Sequence, residues 1–339
     1  MRAHRFLTTL AGLTAGLGAL SSPAAAVVDS SICGRPITDD VTLTADVECG
    51  LSVTGDGVTV DLAGYSIGLM SIDGRDVTVR DGSARGFFVS GSRALLEDLT
   101  VAGGEGFVVE AGPYTTISRS RFVGNDSAVS QYFGSPLLVE DSVFEDNSVG
   151  VTIQSGSGAV IRNSTFVGNT TGVNVWDEDW HGADATEVEH NFFDRNQVGV
   201  MVRGVSAASD TVIRGNTIKN SAASGVLVVS EGRTLPPAGG PGGAVGTVIT
   251  ENTVLRSGSD PVTANGCLDE ATERYECSTV ADDGITVLAR PEIAATMTVS
   301  KNRTMWNAGH GIEAPRVTDG GQNIANKNGE APCIGVVCR

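Results

Sequence analysis

The sequence lacks the features on which several functional classes depend. Beyond residue 26 it has no apolar run of the roughly 18 residues that a membrane-spanning helix needs. It is poor in basic residues, with 23 Lys and Arg against 40 Asp and Glu and a net charge of −17. Such a surface repels nucleic acid and anionic membranes. It also lacks the cysteine and histidine spacing of a zinc site and the ligand spacing of an EF-hand loop.

The first residues have the layout of an export signal. Two arginines within Met1–Arg5 precede the uncharged stretch Phe6–Leu20, and Ala24–Ala26 forms a small-residue cleavage site. The apolar stretch is too short for a membrane anchor. We therefore predict a signal peptide over residues 1–26, one domain over residues 27–339, and a secreted protein.

All six cysteines follow this signal. An even number of cysteines in an exported chain favours disulfides over catalytic thiols. Six cysteines allow fifteen pairings, and their clustering favours Cys33–Cys49, Cys267–Cys277 and Cys333–Cys338. These bridges would tether both ends and one loop.

An internal repeat emerges when the segments SRSRFVGN, EDSVFEDN, RNSTFVGN and EHNFFDRN are aligned on Phe122. Equivalent positions fall at Val101, Phe122, Phe144, Phe166, Phe193, Ile218, Val254 and Thr304. The first intervals are 21, 22 and 22 residues. This period is typical of a solenoid, in which each unit buries its apolar face against its neighbours.

Other positions repeat in step with this reference. Five residues earlier the chain is always aliphatic, at Leu96, Ile117, Val139, Ile161, Val188, Ile213, Ile249 and Val299. A later Val-x-Val strand contributes Phe107, Val129, Val151, Val173, Val200, Val226, Ile285 and Ile312. The period-2 alternation predicts strands. Recurrent Ser or Asn before the reference and Asn after it predict hydrogen-bonded ladders between coils. The glycines before the Val-x-Val strands suggest turns that need an unrestricted backbone.

A leucine-rich repeat is the competing solenoid, but these units lack its leucine spacing and leave no room for a helix. The repeats resemble the NosD-like repeats of the pectate-lyase-like β-helix superfamily, over about residues 41–328. The resemblance implies an all-β, single-stranded, right-handed parallel β-helix of about 10–11 coils. We expect Val27–Asp40 and Gly329–Arg339 to cover its two ends.

Interruptions of the repeat mark candidate binding loops. Trp176–Ala185, Gly204–Asp210, Ser230–Gly246 and Arg290–Thr296 follow the same strand and should emerge on one side, whereas Leu255–Ala281 lies in the preceding turn. Such loops would wall a groove in which the superfamily commonly binds carbohydrate. Candidate substrate contacts on its floor are Tyr132, Gln154, Asn174, Trp176 and Glu313. The alternative is an ordinary solvated sheet face.

An acidic loop on the same side is a candidate calcium or lyase site. Asp177, Glu178 and Asp179 carry the carboxylates that calcium prefers. His181, or Arg203 one coil along, could act as the base of a lyase or epimerase. The alternative is a surface acidic loop.

A second constellation places Asp282 and Asp283 one coil before His310. The arrangement resembles the polygalacturonase family, which implies that Asp283 protonates the leaving oxygen, Asp282 helps to activate water and His310 tunes their ionisation. The sequence departs from that family because Ala223–Gly225 replaces its third aspartate and no Arg-x-Lys clamp follows His310. A purely structural role in turns before glycine is the alternative.

These features predict a secreted carbohydrate-binding or carbohydrate-active β-helix, with hydrolase or lyase chemistry as one form. The alternative is a non-enzymatic surface or adhesion protein whose coils space its binding loops. A polysaccharide is the expected partner, and neither nucleic acid nor membrane insertion is expected. The sequence leaves the substrate and the oligomeric state open.

Overall fold

The computed structural model of the chain describes residues 31–131, 136–154, 158–177, 185–204, 210–230, 243–269 and 274–339, with the backbone alone at 177, 267–269 and 274–276. The proposed signal peptide lies outside the described residues. Among those residues, none forms a helix long and apolar enough to cross a membrane.

The chain winds into a right-handed parallel β-helix, which confirms the predicted fold. Its strands stack into three rows, and the long strands Ser66–Ile72, Thr78–Val89 and Leu95–Ala102 belong to more than one row. The first row also contains Val41–Thr42, Thr59–Asp61, Thr116–Ser118, Leu138–Glu140, Val160–Arg162, Glu187–Glu189, Val212–Arg214, Val248–Thr250, Thr298–Ser300 and Thr318–Gly321. The middle row continues through Arg121–Val123, Val143–Glu145, Thr165–Val167, Phe192–Asp194, Thr217–Lys219, Thr253–Leu255, Arg303–Met305 and Ile324–Asn326.

The third row forms the face on which the groove was predicted, and we call it the groove row. It contains Pro36–Ile37, Leu51–Val53, Phe107–Ala111, Ser127–Gln131, Val149–Gln154, Thr171–Asp177, Val198–Gly204, Val226–Ser230, Ile285–Leu288, Ile312–Glu313 and Cys333–Ile334, together with parts of Ser66–Ile72 and Thr78–Val89. A short helix, Pro291–Ala294, follows the strand Ile285–Leu288.

The core is a set of side-chain columns that run along the helix axis. The rings of Phe122, Phe144, Phe166 and Phe193 stack with centroids 4.9, 4.7 and 4.8 Å apart. This spacing matches the distance between hydrogen-bonded strands. The register runs from Val101 to Thr304, as predicted, and it continues to Ala84 on one side and to Ala325 on the other.

Asparagine ladders satisfy the buried turns between coils. The Nδ2 group of Asn147 donates to Oδ1 of Asn169 at 2.9 Å, and Asn169 donates to Asn196 at 2.9 Å. The same asparagines also bond backbone groups, including the carbonyl of Phe144. These bonds confirm the predicted ladders and fix the register of one coil on the next.

The structure corrects the alignment in two places. Val109, rather than Phe107, pairs with Val129 on the core side, and Phe107 is 43% exposed. The cause is a turn that is one residue longer. Val109 follows Val101 by eight positions, whereas Val129 follows Phe122 by seven. The coils before Leu96 are also shorter than the later ones. When they are included, the groove row has thirteen strands in the described part of the chain, which is more than the 10–11 coils expected.

The glycines just before the Val-x-Val residues lie inside the groove strands and serve a different purpose from the one predicted. Gly150, Gly172 and Gly199 do not have the positive φ that favours glycine. A Cβ atom on Gly172 would lie 2.6 Å from the carbonyl oxygen of Gly199 and 2.8 Å from the ring of Phe193. The requirement is therefore for space beneath the next coil, not for backbone freedom.

Disulfides tether the two ends, as predicted. Cys33 pairs with Cys49 and Cys333 with Cys338. Cys277 is also disulfide-bonded, but the side chain of Cys267, its predicted partner, lies outside the described residues. The C-terminal segment continues the groove row, because Cys333–Ile334 pairs with Ile312–Glu313.

The interruption Leu255–Ala281 contains an antiparallel hairpin, formed by Val262–Asp269 and Arg274–Ala281. We call this element the hairpin. Its residues Ala264 and Ala281 pack with Leu227, Val229 and Leu288, outside the main core. The hairpin thus lies across the groove row instead of beside it.

Candidate functional site

The outward positions of the groove row form one continuous line of side chains. Pairing between coils places Glu110, Ser130, Thr152, Asn174, Met201, Leu227, Thr286 and Glu313 in register. A parallel line two residues further along each strand contains Gln154, Trp176 and Arg203. Both lines agree with the predicted groove floor, although Tyr132 lies outside the described residues.

The first part of this floor is polar and recessed. Ser130, Thr152 and Gln154 are only 0, 5 and 8% exposed, so they do not form an ordinary solvated sheet face. The Oδ1 atom of Asn174 and the Nε1 atom of Trp176 are buried without a hydrogen-bond partner. Buried polar atoms in folded proteins are nearly always paired. Other buried side-chain atoms without a partner lie away from this face, for example on Thr186, Thr211 and Ser257, so the pair alone does not identify a ligand site.

Only part of the predicted acidic site falls within the described residues. Asp177 ends the strand Thr171–Asp177, but its side chain is not described, and Glu178, Asp179 and His181 lie outside the described residues. Arg203 is described, with its guanidinium carbon 6.0 Å from the ring centre of Trp176. Calcium binding and the lyase roles therefore stay predictions.

The hairpin closes the second part of the floor. It packs over Leu227, which is 3% exposed, and the floor beneath it at Thr286 is fully buried. At the far side the Thr279 hydroxyl donates to Oε2 of Glu313 at 2.9 Å. Glu313, predicted as a substrate contact, is thus held by the hairpin.

The base of the hairpin leads directly into the second predicted site. The strand Arg274–Ala281 ends just before Asp282, and the next coil places His310 above Asp283. The Nδ1 atom of His310 lies 3.3 Å from Oδ1 of Asp283, and its Nε2 atom lies 3.2 Å from Oε2 of Glu330. The predicted convergence of Asp283 and His310 is present.

Hydrogen bonds hold the Asp283 carboxyl in a dry position. The backbone N–H of His310 donates to Oδ1 at 2.6 Å, and the Thr286 hydroxyl donates to Oδ2 at 3.0 Å. The hydroxyl of Ser224 lies 2.6 Å from that of Thr286, which extends the chain of polar groups across another coil. Asp283 itself is fully buried.

Burial raises the pKa of Asp283 to about 7, because removal from water disfavours the charged form. The hydrogen bonds from His310 and Thr286 lower this pKa, whereas the negative charges of Glu313 and Asp282 raise it further. The carboxyl is therefore protonated at mildly acidic pH, and it could act as a proton donor near neutral pH.

Sequence reasoning missed the position of Glu313 beside this pair. One ligand atom each of Asp283, His310 and Glu313 lies within 4.8 Å of the others. The sequence spacing could have revealed this position. Asp283 precedes Thr286 by three residues, and His310 precedes Glu313 by the same number on the next coil. Residues in equivalent positions on neighbouring coils must stack.

Two corrections follow for the hydrolase hypothesis. Glu313 is a carboxylate close to the pair, on the later coil, and Thr286 and Asp283 are fully buried instead of facing an open groove. A set of one imidazole and two carboxylates can also suit a transition metal. Here, however, hydrogen bonds from protein groups already occupy both Asp283 oxygens and Oε2 of Glu313.

Comparisons with known proteins agree with the fold. A protein-family model described as a right handed beta helix region matches residues 50–218. The periplasmic alginate epimerase AlgG superposes with a TM-score of 0.55 at 11% identity, covering 90% of this chain and 84% of the epimerase. No curated protein matches the sequence as a relative.

Two further solved structures share the architecture. The tailspike protein of E. coli bacteriophage HK620, in complex with a pentasaccharide, has a TM-score of 0.52 at 12% identity, covering 86% of this chain and 58% of the tailspike. XylC, in complex with xylose, has a TM-score of 0.50 at 9% identity, covering 85% of this chain and 55% of that protein. At these identities the likeness establishes the right-handed β-helix and nothing finer.

Proposed function

We propose that the protein binds a carbohydrate chain along the groove row, between Ser130 and the hairpin. The observation that carries this proposal is the pair of buried, unpartnered atoms, Asn174 Oδ1 and Trp176 Nε1. A sugar hydroxyl could donate to the first and accept from the second once the side chains that cover these atoms move aside. Such bonds remove the cost of leaving buried polar atoms unpaired, about 1–3 kcal/mol for each group.

The composition of the floor supports the same ligand class. Ser130 and Thr152 add hydroxyl groups on the line of Asn174, and Gln154 adds an amide group on the line of Trp176. The structural neighbours include an alginate epimerase, a tailspike bound to a pentasaccharide and a protein bound to xylose. They share the fold with this chain, which makes carbohydrate the first ligand class to test.

Export belongs to the same proposal. The signal layout of residues 1–26 predicts secretion, and the disulfides Cys33–Cys49 and Cys333–Cys338 are typical of an oxidising compartment. NosD-like membership within the β-helix proteins and calcium binding by Asp177, Glu178 and Asp179 are further hypotheses about this chain.

Calorimetry of the mature protein with polysaccharide fragments, with and without calcium, tests the binding. Trp176→Phe keeps a ring and removes the N–H, and Asn174→Ala removes the amide. Each should weaken binding about five- to tenfold, since the loss of one buried hydrogen bond costs about 1–1.5 kcal/mol. The matched controls are Trp306→Phe and Asn326→Ala, which change exposed residues on other faces. Equal effects of both pairs of variants would contradict the groove assignment.

Hydrolysis is a second candidate, favoured by the raised pKa of Asp283 and the closeness of Glu313. A carboxylate oxygen of Asp283 lies within 4.8 Å of one of Glu313. This distance is nearer to the separation of about 5–5.5 Å between the two carboxyl groups of retaining glycosidases than to the wider separation in inverting enzymes. Reducing-end assays should then show activity that falls at least 100-fold in Asp283→Asn, whereas Asp260→Asn, an exposed control, keeps it. Activity that survives Asp283→Asn combined with His310→Ala excludes this site.

The same screen separates the remaining alternatives. Elimination, measured by ultraviolet absorbance and lost in His181→Ala or Arg203→Ala, would favour the lyase hypothesis instead. Binding without turnover of any fragment would favour the non-enzymatic binding protein.

A further inference from the structure

A cavity lies on the first coils of the β-helix, where the middle row turns into the groove row. Its volume is about 730 Å³, within the range of about 300–1,000 Å³ for small-molecule sites. Its charged and large apolar walls are Glu48, Leu69, Arg85, Glu105 and Phe107. Leu69 is 64% and Phe107 43% exposed, and the three charged residues are exposed as well. The cavity is therefore accessible to solvent, and the structure describes the whole stretch 48–108 that lines it.

The wall that carries Phe107 is the longer turn that breaks the repeat. One extra residue in this turn moves Val109 into the core position and leaves Phe107 exposed. Gly103 and Gly106 have φ values of 67° and 68°, a left-handed conformation that favours glycine. The departure from the repeat thus places an aromatic ring at the cavity instead of in the core. Positions that break an otherwise consistent pattern are often functional.

Arg85 lines this cavity without the ion pair that nearby arginines have. Arg75 and Arg80 each bond an aspartate of the preceding coil at 3.0 Å, whereas Arg85 forms no ion pair with any residue that the structure describes. The register places Glu48 in the same line two coils earlier, with Gly68 between them. At the usual strand separation, the backbones at Glu48 and Arg85 are about 10 Å apart. Because Gly68 has no side chain, the space between the two charged groups stays open.

We infer that this cavity binds a neutral sugar, at a second site three coils away from Asn174 and Trp176. Two carboxylates and one guanidinium leave an excess of negative charge in the cavity, on a chain whose net charge is −17. An acidic sugar is therefore repelled. Each of these groups offers two hydrogen-bonding atoms side by side, which match neighbouring hydroxyl groups on a sugar ring. Leu69 and Phe107 provide apolar surface for the C–H groups of the same ring.

Calorimetry with oligosaccharides of about two to four units tests this inference. The probes are neutral xylo- and manno-oligosaccharides and, at matched lengths, oligogalacturonates. We expect at least one neutral probe to bind at least tenfold more tightly than the acidic ones. Arg85→Gln should weaken this binding about tenfold, because hydrogen bonds to a charged group are the stronger ones. Arg316→Gln, at an exposed arginine near the other end of the β-helix, should leave it unchanged.

A second variant tests the apolar wall. Phe107→Ala should weaken the neutral probes at least fivefold, whereas Phe192→Ala, at a 36% exposed phenylalanine of the central coils, should not. Unaltered melting temperatures show that the variants stay folded.

The groove-row variants separate this site from the one proposed above. Binding at the cavity should persist in Trp176→Phe and Asn174→Ala. Sugar binding that is lost in those variants but kept in Arg85→Gln and Phe107→Ala overturns the inference and leaves the proposed function intact. Failure of every neutral probe to bind, or tighter binding of oligogalacturonates that depends on Arg85, also overturns it.

Discussion

The imidazole of His310 and the carboxyl of Asp283 meet across neighbouring coils, with Nδ1 and Oδ1 3.3 Å apart. Asp283 is completely buried, and His310 extends from it to the exposed Glu330 through its other nitrogen. The pair therefore links a dry carboxyl to the exposed Glu330 in the C-terminal segment. Because this carboxyl holds its proton up to about pH 7, its ionisation should influence stability as well as any proton transfer.

We predict that Asp283 makes the folded state less stable as the pH rises. Its pKa is about 7 in the folded protein and about 3.8 in the unfolded chain, so between these values the folded state binds more protons. The contribution of Asp283 to the free energy of unfolding is fully present below about pH 4. It is lost as the pH rises through 7, and the total loss is on the order of 4 kcal/mol.

Denaturant unfolding from pH 4 to pH 8 measures this effect. In Asp283→Asn the free energy of unfolding should lose the Asp283 part of its pH dependence, whereas Asp260→Asn should keep it. The nearby ionisable groups, Asp282, His310, Glu313 and Glu330, are unchanged in both variants. Parallel pH curves for wild type and Asp283→Asn would show that Asp283 titrates normally.

The phenylalanine column should be the main source of stability in the central coils. Phe144 packs between two rings at 4.9 and 4.7 Å and is fully buried. Phe144→Ala should lower the free energy of unfolding by about 3–5 kcal/mol, because it leaves a cavity between two coils. Phe88→Ala, at a 52% exposed position, should cost far less. Equal losses in the two variants would mean that the column does not behave as a core.

The close approach of coils at Gly172 predicts that even one methyl group is harmful there. Gly172→Ala should destabilise the protein by about 1–3 kcal/mol or more, since the new Cβ would overlap with the next coil. At Gly50 the nearest atom to a new Cβ is 3.8 Å away, so Gly50→Ala should be nearly neutral. Thermal melts of the two variants make the comparison, and a stable Gly172→Ala would show that the coils are spaced more widely.

Reduction of the disulfides should loosen the ends of the β-helix before its middle. Cys33–Cys49 and Cys333–Cys338 each close a short loop at one end. Hydrogen exchange in the presence of reductant should therefore rise first near those loops, while the strand Thr165–Val167 stays protected. Protection that is the same with and without reductant, at both ends, would show that the bridges are not needed there.

Much of the fold was predictable because the coils repeat. Each coil contacts only its neighbours, so a period in the sequence translates directly into a column in the structure, as at Phe122 and Phe144. The asparagine ladder at Asn169 followed from the same rule. The rule failed at Phe107, because one extra turn residue shifted the strand by one position. At Gly172 the repeat was predicted correctly but its reason was not, because the glycine is needed for close packing of the next coil and not for backbone freedom.

The candidate site was only partly predictable for the same reason. The sequence by itself determined the stacked coils, the line of groove residues and the meeting of Asp283 with His310, since all of these lie in register between neighbouring coils. Only the tertiary structure decided that the hairpin folds across Leu227 and holds Glu313, and that Asp283 is fully buried. The hairpin interrupts the repeat, and no periodic pattern sets its position, which depends on packing between residues far apart in the chain.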